Sequence, residues 1–150
     1  MTGDISQIST SQAEAGAAPR EECVIECLMR ARESEAEIGV QQEHLDRLER
    51  IARMKHSSLE YAAEIAEKLA RVQREFNELI DRSYDAKRRA ISYITYLTGE
   101  EYSVIFSYYI LAKDWRRIAD DLYMSERRVY LLRKSALEKL SRRFDEERAV

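Results

Sequence analysis

The sequence predicts an all-α protein in which a long antiparallel helical hairpin, or coiled coil, precedes a C-terminal three-helix helix-turn-helix domain. Three observations predict this class. The 150 residues include only one Pro and four Gly, which leave few breaks in long helices. Hydrophobic residues make up 45% and charged residues 35% of the chain, a balance that suits amphipathic helices with charged outer faces. Apolar residues also recur at helical spacing through most of the chain.

The N-terminal part predicts a disordered arm followed by one long helix. Residues 1–20 are rich in Ser, Thr, Ala, Gly and Gln and have no apolar period. From about 21 to 55, apolar residues recur every seven positions, as Val24, Ala31, Ile38, Leu45 and Ala52, with Leu28 and Leu48 on the same side. Glu35 and Gln42 weaken this seam, and Gly39 costs up to about 1 kcal/mol of helix propensity. The helix is therefore expected to need a packing partner.

A second long helix is predicted over 58–97, where the heptad repeat is clearer. One register holds Ala62, Leu69, Phe76, Ala90 and Leu97, and the other holds Ile65, Val72, Leu79, Ala86 and Tyr93. Ser83 is the only polar interruption, and Ser57 with Glu60 has the spacing of a capping box that would start this helix. The short break before it favours an antiparallel hairpin over 21–97. Because a two-helix hairpin leaves apolar surface exposed to solvent, a homodimer or higher oligomer through residues 58–97 is predicted.

Three shorter helices are predicted after this hairpin. Thr98 with Glu101 forms a second capping-box pattern, and the helix that follows has its apolar side at Tyr102, Ile105, Phe106, Tyr109 and Ile110. Asp114 is the predicted N-cap of the next helix, and Trp115 is interpreted as a core anchor rather than a base-stacking platform. In the short helix that begins after Asp114, Ile118, Ala119 and Leu122 form one apolar face.

Ser125 is the predicted N-cap of the last helix, which has two different faces. The buried stripe is predicted to be Val129, Leu132, Ala136 and Leu140, and the opposite stripe Arg127, Tyr130, Leu131 and Lys134. The helix is expected to fray from Ser141 onward, with 144–150 as a mixed-charge tail.

Positive charge is concentrated in this last helix. Residues 125–143 hold seven basic against two acidic residues, although the whole chain has a net charge of −3. Such an excess is what neutralisation of DNA phosphates requires. Phosphate contacts are predicted for Arg116, Arg117 and Lys134, and positions near bases for Arg127, Arg128, Tyr130, Leu131 and Arg133, with Ser125 and Glu126 at the helix start. The alternative interpretation of these residues is a solvated helix face.

The pattern S-x-x-R-V-x-x-L-x-x-x-A-L-x-K-L at 125–140 resembles the recognition helix of region 4 of bacterial sigma factors. The layout of the whole chain is similar to that of small phage and prophage proteins with region-4-like domains, the late-gene activators of the RinA and ArpU type. The shared features are Tyr109, Asp114-Trp115, Ile118-Ala119, Ser125, Val129-Tyr130, Leu132 and Ala136-Leu137.

This resemblance covers 98–140 and implies a helix-turn-helix DNA-binding domain over 98–143. It implies a sequence-specific transcriptional regulator of double-stranded DNA, with the recognition helix 125–140 in the major groove, and raises RNA polymerase as a second partner. Tyr123 stands where the family's turn usually has Gly, so an unusual backbone conformation or a wider turn is expected. Arg127, Tyr130 and Leu131 also depart from the family, so its promoter preference is not implied.

Two other functions remain open, namely a DNA-binding small packaging (terminase-like) subunit of a phage and a structural coiled-coil interaction protein. An enzyme is not expected, because the sequence has neither a phosphate-binding Gly-rich loop nor a nucleophile beside a recognisable base. No cofactor is expected. Cys23 and Cys27 are predicted to be reduced, buried or half-buried thiols in the cytoplasm of a bacterial host. A zinc site that combines them with His44 or His56 is disfavoured. No apolar run reaches about 18 residues, so no membrane span is predicted.

Overall fold

The computed structural model describes residues 23–56 and 58–145, and over these residues the chain is helical apart from turns and contains no β-strand. The predicted all-α class is confirmed. The disordered arm predicted for 1–20 lies outside the described residues, as do Ser57 and the end of the predicted tail, 146–150.

Two long helices form most of the fold. Helix α1 spans Val24–Arg53 and helix α2 spans Leu59–Ile94. The start of α1 packs against the end of α2, so the two helices run antiparallel. We call the end that contains Val24 and Ile94 the base of the α1–α2 pair, and the end that contains Arg53 and Leu59 its far end.

The starts of both long helices are capped by side chains. The Cys23 Sγ accepts a hydrogen bond from the backbone N–H of Glu26 at 3.4 Å, which satisfies one donor of the first turn of α1. The N-cap of α2 is Ser58, whose Oγ accepts from the backbone N–H of Tyr61 at 3.1 Å. The predicted capping box of Ser57 and Glu60 is therefore wrong by one residue. Two adjacent serines offer the same chemistry, and the sequence does not distinguish them.

A polar layer divides the seam between α1 and α2 into two apolar clusters. The far-end cluster consists of Leu45, Leu48, Val72 and Phe76, with Ile38 and Leu69 packed against it. The polar layer pairs the hydroxyls of Ser34 and Ser83 at 2.9 Å, beside an ion pair between Lys87 and Glu35. Ser83 is buried, and this contact satisfies its hydroxyl group. The predicted polar interruption of α2 is thus matched by a serine on α1.

The base cluster is the largest core and extends into the C-terminal helices. Its buried members are Val24, Cys27, Leu28, Ala31, Ala90, Ile94, Leu97, Ile105, Tyr109, Ile110, Ala136 and Leu140. Both long helices and the C-terminal helices therefore contribute to one core, which crosses the domain boundary predicted between residues 97 and 98. We call residues 98–145 the C-terminal unit.

The C-terminal unit contains three short helices. Helix α3 spans Gly99–Ile105 and continues as a π-helical turn over Phe106–Ile110, α4 spans Trp115–Asp121, and α5 spans Glu126–Leu140. Thr98 is the N-cap of α3, but its side chain makes no capping hydrogen bond. The predicted capping box is therefore wrong, because the Glu101 carboxylate instead pairs with Lys139 of α5 at 2.5 Å.

The end of α5 is ordered by tertiary contacts. A π-helical turn extends it over Ser141–Asp145. The Phe144 ring packs edge-on against Tyr93 and Tyr96, with ring centroids 4.8 and 5.1 Å apart. The Asp145 carboxylate accepts from the backbone N–H of Val24 at 3.1 Å. The predicted fraying is wrong for residues 141–145, because aromatic packing at the base offsets the loss of helix propensity.

Candidate nucleic-acid interface

Helix α5 is held along one side by two separate cores. Val129 and Ala136 have no exposed surface and Leu140 is 1% exposed, which confirms three of the four residues of the predicted buried stripe, while Leu132 is only partly buried. Ala136 and Leu140 belong to the base cluster. Val129 instead joins a smaller cluster with Val104, Ile118 and Ala119. Contacts at both ends of the helix fix its orientation on the C-terminal unit.

A short turn joins α4 to α5, and the predicted N-caps of both helices are confirmed. The Asp114 carboxylate accepts from the backbone N–H of Arg117 at 2.8 Å, and the Ser125 Oγ accepts from that of Arg128 at 3.1 Å. Within the turn, Tyr123 has φ +54° and its side chain is 96% exposed. The chain therefore adopts the unusual left-handed conformation at Tyr123, which costs roughly 1 kcal/mol for a residue with a side chain.

The opposite stripe of α5 is exposed, as predicted. Tyr130 and Leu131 are 54% and 50% exposed, and Arg127 and Lys134 lie beside them on the surface. Among the residues that the structure describes, neither basic side chain has an acidic partner, and the same holds for the exposed Arg116 at the start of α4. The stripe thus combines two uncompensated positive charges with two exposed apolar surfaces.

Arg142 extends this exposed stripe beyond the predicted residues. It lies in the π-helical turn and lines a shallow groove together with Tyr130 and Lys134. The sequence predicts that α5 frays from Ser141 onward, and for this reason Arg142 is not among the predicted site residues. Its spacing of eight residues from Lys134 is the signal that could have found it, since two helical turns return to the same face.

Two of the predicted basic site residues are already paired with carboxylates. Arg128 makes a two-point contact with Glu100, at 2.7 Å from Nη2 and 3.3 Å from Nε, which raises the pKa of its guanidinium. Arg117 lies 3.2 Å from Asp121, one turn along α4. Asp121 also accepts from Lys113 at 2.8 Å, and this hydrogen bond is the main reason that its pKa lies below the ordinary aspartate value.

The side chain of Arg133 points toward an aromatic cluster inside the C-terminal unit. Its Nε donates to the Tyr109 hydroxyl at 3.1 Å, and its guanidinium lies 4.8 and 4.9 Å from the ring centroids of Trp115 and Tyr108. Trp115 stacks on Tyr108 at 4.3 Å, in agreement with a core anchor. Burial raises the pKa of Tyr109, while the positive charge of Arg133 opposes this rise. The structure therefore does not place Arg133 on the exposed stripe.

Arg32 connects α1 to the same aromatic cluster. Its Nη1 donates to the backbone carbonyls of Tyr108 and Lys113 at 2.6 and 3.0 Å, and its guanidinium lies 3.9 Å from the Tyr108 ring centroid. These bonds satisfy carbonyl groups at the end of α3 and in the loop that follows. The sequence does not predict this contact, because one arginine on a helix rich in charged residues carries no distinguishing signal.

Comparison of the chain with protein-family models, with curated proteins and with solved structures finds no match. The resemblance to sigma factor region 4 and to phage activators therefore stays a prediction from the motif. Within the described ranges, no three His, Cys, Asp or Glu side chains come together as a metal site. None of the helices described there has both the length and the apolar character needed to cross a membrane.

Proposed function

We propose that the protein is a sequence-specific DNA-binding transcriptional regulator of phage or prophage type. In this proposal α1 and α2 form a supporting hairpin, α4 and α5 act as a helix-turn-helix, and α5 enters the major groove. One observation carries the proposal: the exposed stripe of Arg127, Tyr130, Leu131 and Lys134 stands on a helix whose other side packs into two cores through Val129, Ala136 and Leu140. A rigid helix that presents basic and apolar groups together suits the contacts that the major groove offers.

The position of each residue on α4 or α5 decides whether we assign it to a base or to a phosphate. Arg127 lies in the first turn, and the N-terminal residues of a recognition helix are the ones that reach base edges. Its guanidinium matches the paired acceptors of guanine, and Leu131 matches the methyl group of thymine. Lys134 lies two turns along α5, and Arg116 lies on α4, the helix that crosses the backbone in this mode of binding. Both are assigned to phosphates.

The paired basic residues have supporting roles in this proposal. Arg128 is engaged by Glu100 and Arg117 by Asp121, so a phosphate would have to displace a carboxylate to bind either one. Exposed ion pairs of this kind contribute little to stability, so the exchange costs little. Arg133 supports α5 from behind through Tyr109. Contact with RNA polymerase rests on the family resemblance alone.

The test compares two double variants that change the net charge equally. Arg127→Ala with Lys134→Ala removes the uncompensated charges of α5, while Arg50→Ala with Arg53→Ala removes two basic residues from the last turn of α1. Binding is measured by fluorescence anisotropy as a function of salt. The DNA is a duplex that the wild-type protein itself enriches from a random-sequence library.

The α5 variant should bind at least ten times more weakly, and its slope of log K against log salt should fall by about 0.9 for each phosphate that the variant no longer neutralises. The α1 variant should keep the wild-type affinity and slope. The proposal is wrong if both variants lose affinity equally, since that indicates only overall charge. It is also wrong if the wild-type protein enriches no sequence from the library.

A further inference from the structure

A shallow groove runs along the exposed side of α5 and ends against the first turn of α1. Its lining includes Tyr130, Lys134 and Leu137 of α5, Arg142 in the π-helical turn and Ile25 of α1. Tyr130 is 54% and Ile25 38% exposed, so apolar surface in the groove is open to solvent. The groove begins within the exposed stripe of α5 and continues beyond it, to residues that have no role in the proposed function so far.

Positive charge prevails in this groove. Three basic side chains line it, those of Arg133, Lys134 and Arg142, against one carboxylate, that of Glu138. Arg133 is engaged by the aromatic cluster. Neither Lys134 nor Arg142 has an acidic partner within the described part of the chain. The groove therefore favours a ligand that carries negative charge.

The π-helical turn gives Arg142 a fixed position. Such turns are rare and occur frequently at functional sites. Here the Phe144 ring packs against two tyrosines of the base, and the Asp145 carboxylate accepts from the backbone N–H of Val24. The second contact also holds the first turn of α1, which includes Ile25, against the end of α5. Both sides of the groove are thus ordered by tertiary contacts.

The length of α5 decides which part of a DNA duplex would reach the groove. In the proposed function Arg127, in the first turn of α5, lies at base edges. With a rise of 1.5 Å per residue, Lys134 lies roughly 10 Å and Arg142 roughly 22 Å farther along the helix. The major groove is about 12 Å wide, so a helix that begins at the bases ends at the sugar–phosphate backbone. Arg142 and the neighbouring Ile25 therefore face backbone rather than base edges.

The chemistry of the lining suits such a strand. Lys134 and Arg142 lie roughly 12 Å apart along α5, which suits two separate phosphates. The guanidinium of Arg142 can bind one of them through two parallel hydrogen bonds. The side chains of Ile25 and Leu137 suit the deoxyribose rings, which present carbon–hydrogen surface. The groove is also continuous with the exposed stripe through Tyr130, so one duplex can cover both, which favours DNA over an acidic protein segment.

We propose that one strand of the DNA backbone lies in this groove, with phosphates on Lys134 and Arg142 and a deoxyribose against Ile25. The inference rests on the proposed function and extends its DNA contact from α4 and α5 to α1. Arg142 and Ile25 then add affinity without sequence preference, because phosphates and sugars carry no sequence information directly. Glu138 opposes the contact, since its carboxylate lies in the same groove.

The first test separates affinity from sequence preference. Arg142→Ala is titrated by fluorescence anisotropy with the duplex that the wild-type protein enriches and with a duplex of the same composition in scrambled order. Both affinities should fall by the same factor, at least about threefold, and the slope of log K against log salt should fall by about 0.9 for the lost phosphate. Arg53→Ala, which removes an exposed charge from the last turn of α1, is the matched control and should keep the wild-type values.

The second test places opposite charges at one position of α1. Ile25→Lys should tighten binding to both duplexes and Ile25→Glu should weaken it, because a phosphate lies nearby. A purely structural role of Ile25 would change the affinity in the same direction, since both variants remove the same apolar side chain. Val40→Lys and Val40→Glu make the same changes at another exposed residue of α1, roughly 22 Å farther along the helix, and should bind as the wild type does. Circular dichroism checks that helix content is unchanged.

Failure of this inference differs from failure of the proposed function. If Arg142→Ala keeps the wild-type affinity and slope while Arg127→Ala with Lys134→Ala loses both, the inference is overturned and the proposed function stands. That result is expected of a groove that binds an acidic protein segment. The inference is also overturned if Arg142→Ala weakens binding to the enriched duplex alone, or if Ile25→Lys and Ile25→Glu weaken binding alike. A wild-type protein that binds no duplex overturns both.

Discussion

The base and the far end of the α1–α2 pair bury their seams to different depths. At the base, Val24, Leu28, Ala31, Ala90 and Ile94 have no exposed surface. At the far end, the four core residues keep between 4% and 8% of their surface exposed. The sequence repeats of the two regions are similar, so the repeat does not explain the difference. At the base α3 and α5 pack onto the pair, whereas at the far end two helices alone shield the seam.

This contrast shows how neighbouring helices set the depth of burial along one helix pair. Two helices in contact leave open sides that water can reach, and only further elements close them. The base therefore forms the firm support on which α5 presents its exposed stripe. At the far end, the side of α2 that faces away from α1 stays exposed over 59–84. One long helix pair thus has one end that further helices enclose and one end that two helices form alone.

The largest expected effect comes from making the same cavity in both regions. Leu28→Ala at the base should lower the free energy of unfolding by about 4 kcal/mol, because fully enclosed sites collapse little around a deletion. Leu45→Ala at the far end should cost about 2 kcal/mol, since water already reaches its surroundings. Urea unfolding of both variants checks this order. A cost at Leu45 equal to or larger than that at Leu28 would contradict the comparison.

A smaller effect, of opposite sign in the two regions, is expected for two glycines. Gly99 begins α3 with φ +59°, so Gly99→Ala should destabilise the protein by about 1–2 kcal/mol. Gly39 lies within α1 with open space where an alanine Cβ would lie, so Gly39→Ala should stabilise by about 0.5–1 kcal/mol. Thermal unfolding of both variants measures the difference. If both substitutions change the stability in the same direction, backbone conformation does not determine their effects.

The smallest effect concerns the pH dependence of Asp121. Its pKa is lowered in the folded state, mainly by the hydrogen bond from Lys113; desolvation, the next largest effect, opposes the lowering, and the charges of Lys113 and Arg117 add to it. The unfolded chain therefore takes up this proton first as the pH falls. The stabilisation is present above the ordinary aspartate pKa of about 4 and is lost as the pH falls through the lowered value.

Lys113→Ala should move the pKa of Asp121 back toward that of an ordinary aspartate, which a carboxyl NMR titration can follow. Lys134→Ala is the matched control, since Lys134 has no acidic partner among the described residues and lies on the exposed stripe of α5. If both variants shift the titration equally, general charge and not the Lys113 contact sets the pKa.

Local patterns of the sequence predict much of this structure. The seam of α2, the caps Asp114 and Ser125 and the two stripes of α5 depend on residues within a few turns of one another, so spacing alone identifies them. The left-handed Tyr123 is one of the two outcomes expected from the resemblance to a family that usually has Gly at this position. These features define the helices and the side of α5 that faces outward.

The features that the sequence does not predict depend on contacts between distant segments. Glu101 is expected to cap its own helix, but Lys139 on α5 lies nearer to its carboxylate. Arg133 is expected near the bases, but its side chain instead contacts Tyr109 and Trp115 in the aromatic cluster. Phe144 is expected in a tail, although Tyr93 and Tyr96 hold it at the base. In each case the observed partner is far away in sequence, so the local pattern around the residue does not predict the contact.

The central claim is that the exposed stripe of α5 binds the major groove of DNA, and mapping of amide signals by NMR tests it most directly. On addition of a duplex enriched by the protein, the backbone amides of residues 125–134 and of the start of α4 should shift. Those of the far end, residues 38–53 and 59–72, should stay unchanged. Binding that leaves the α5 amides in place and shifts signals elsewhere would contradict the claim.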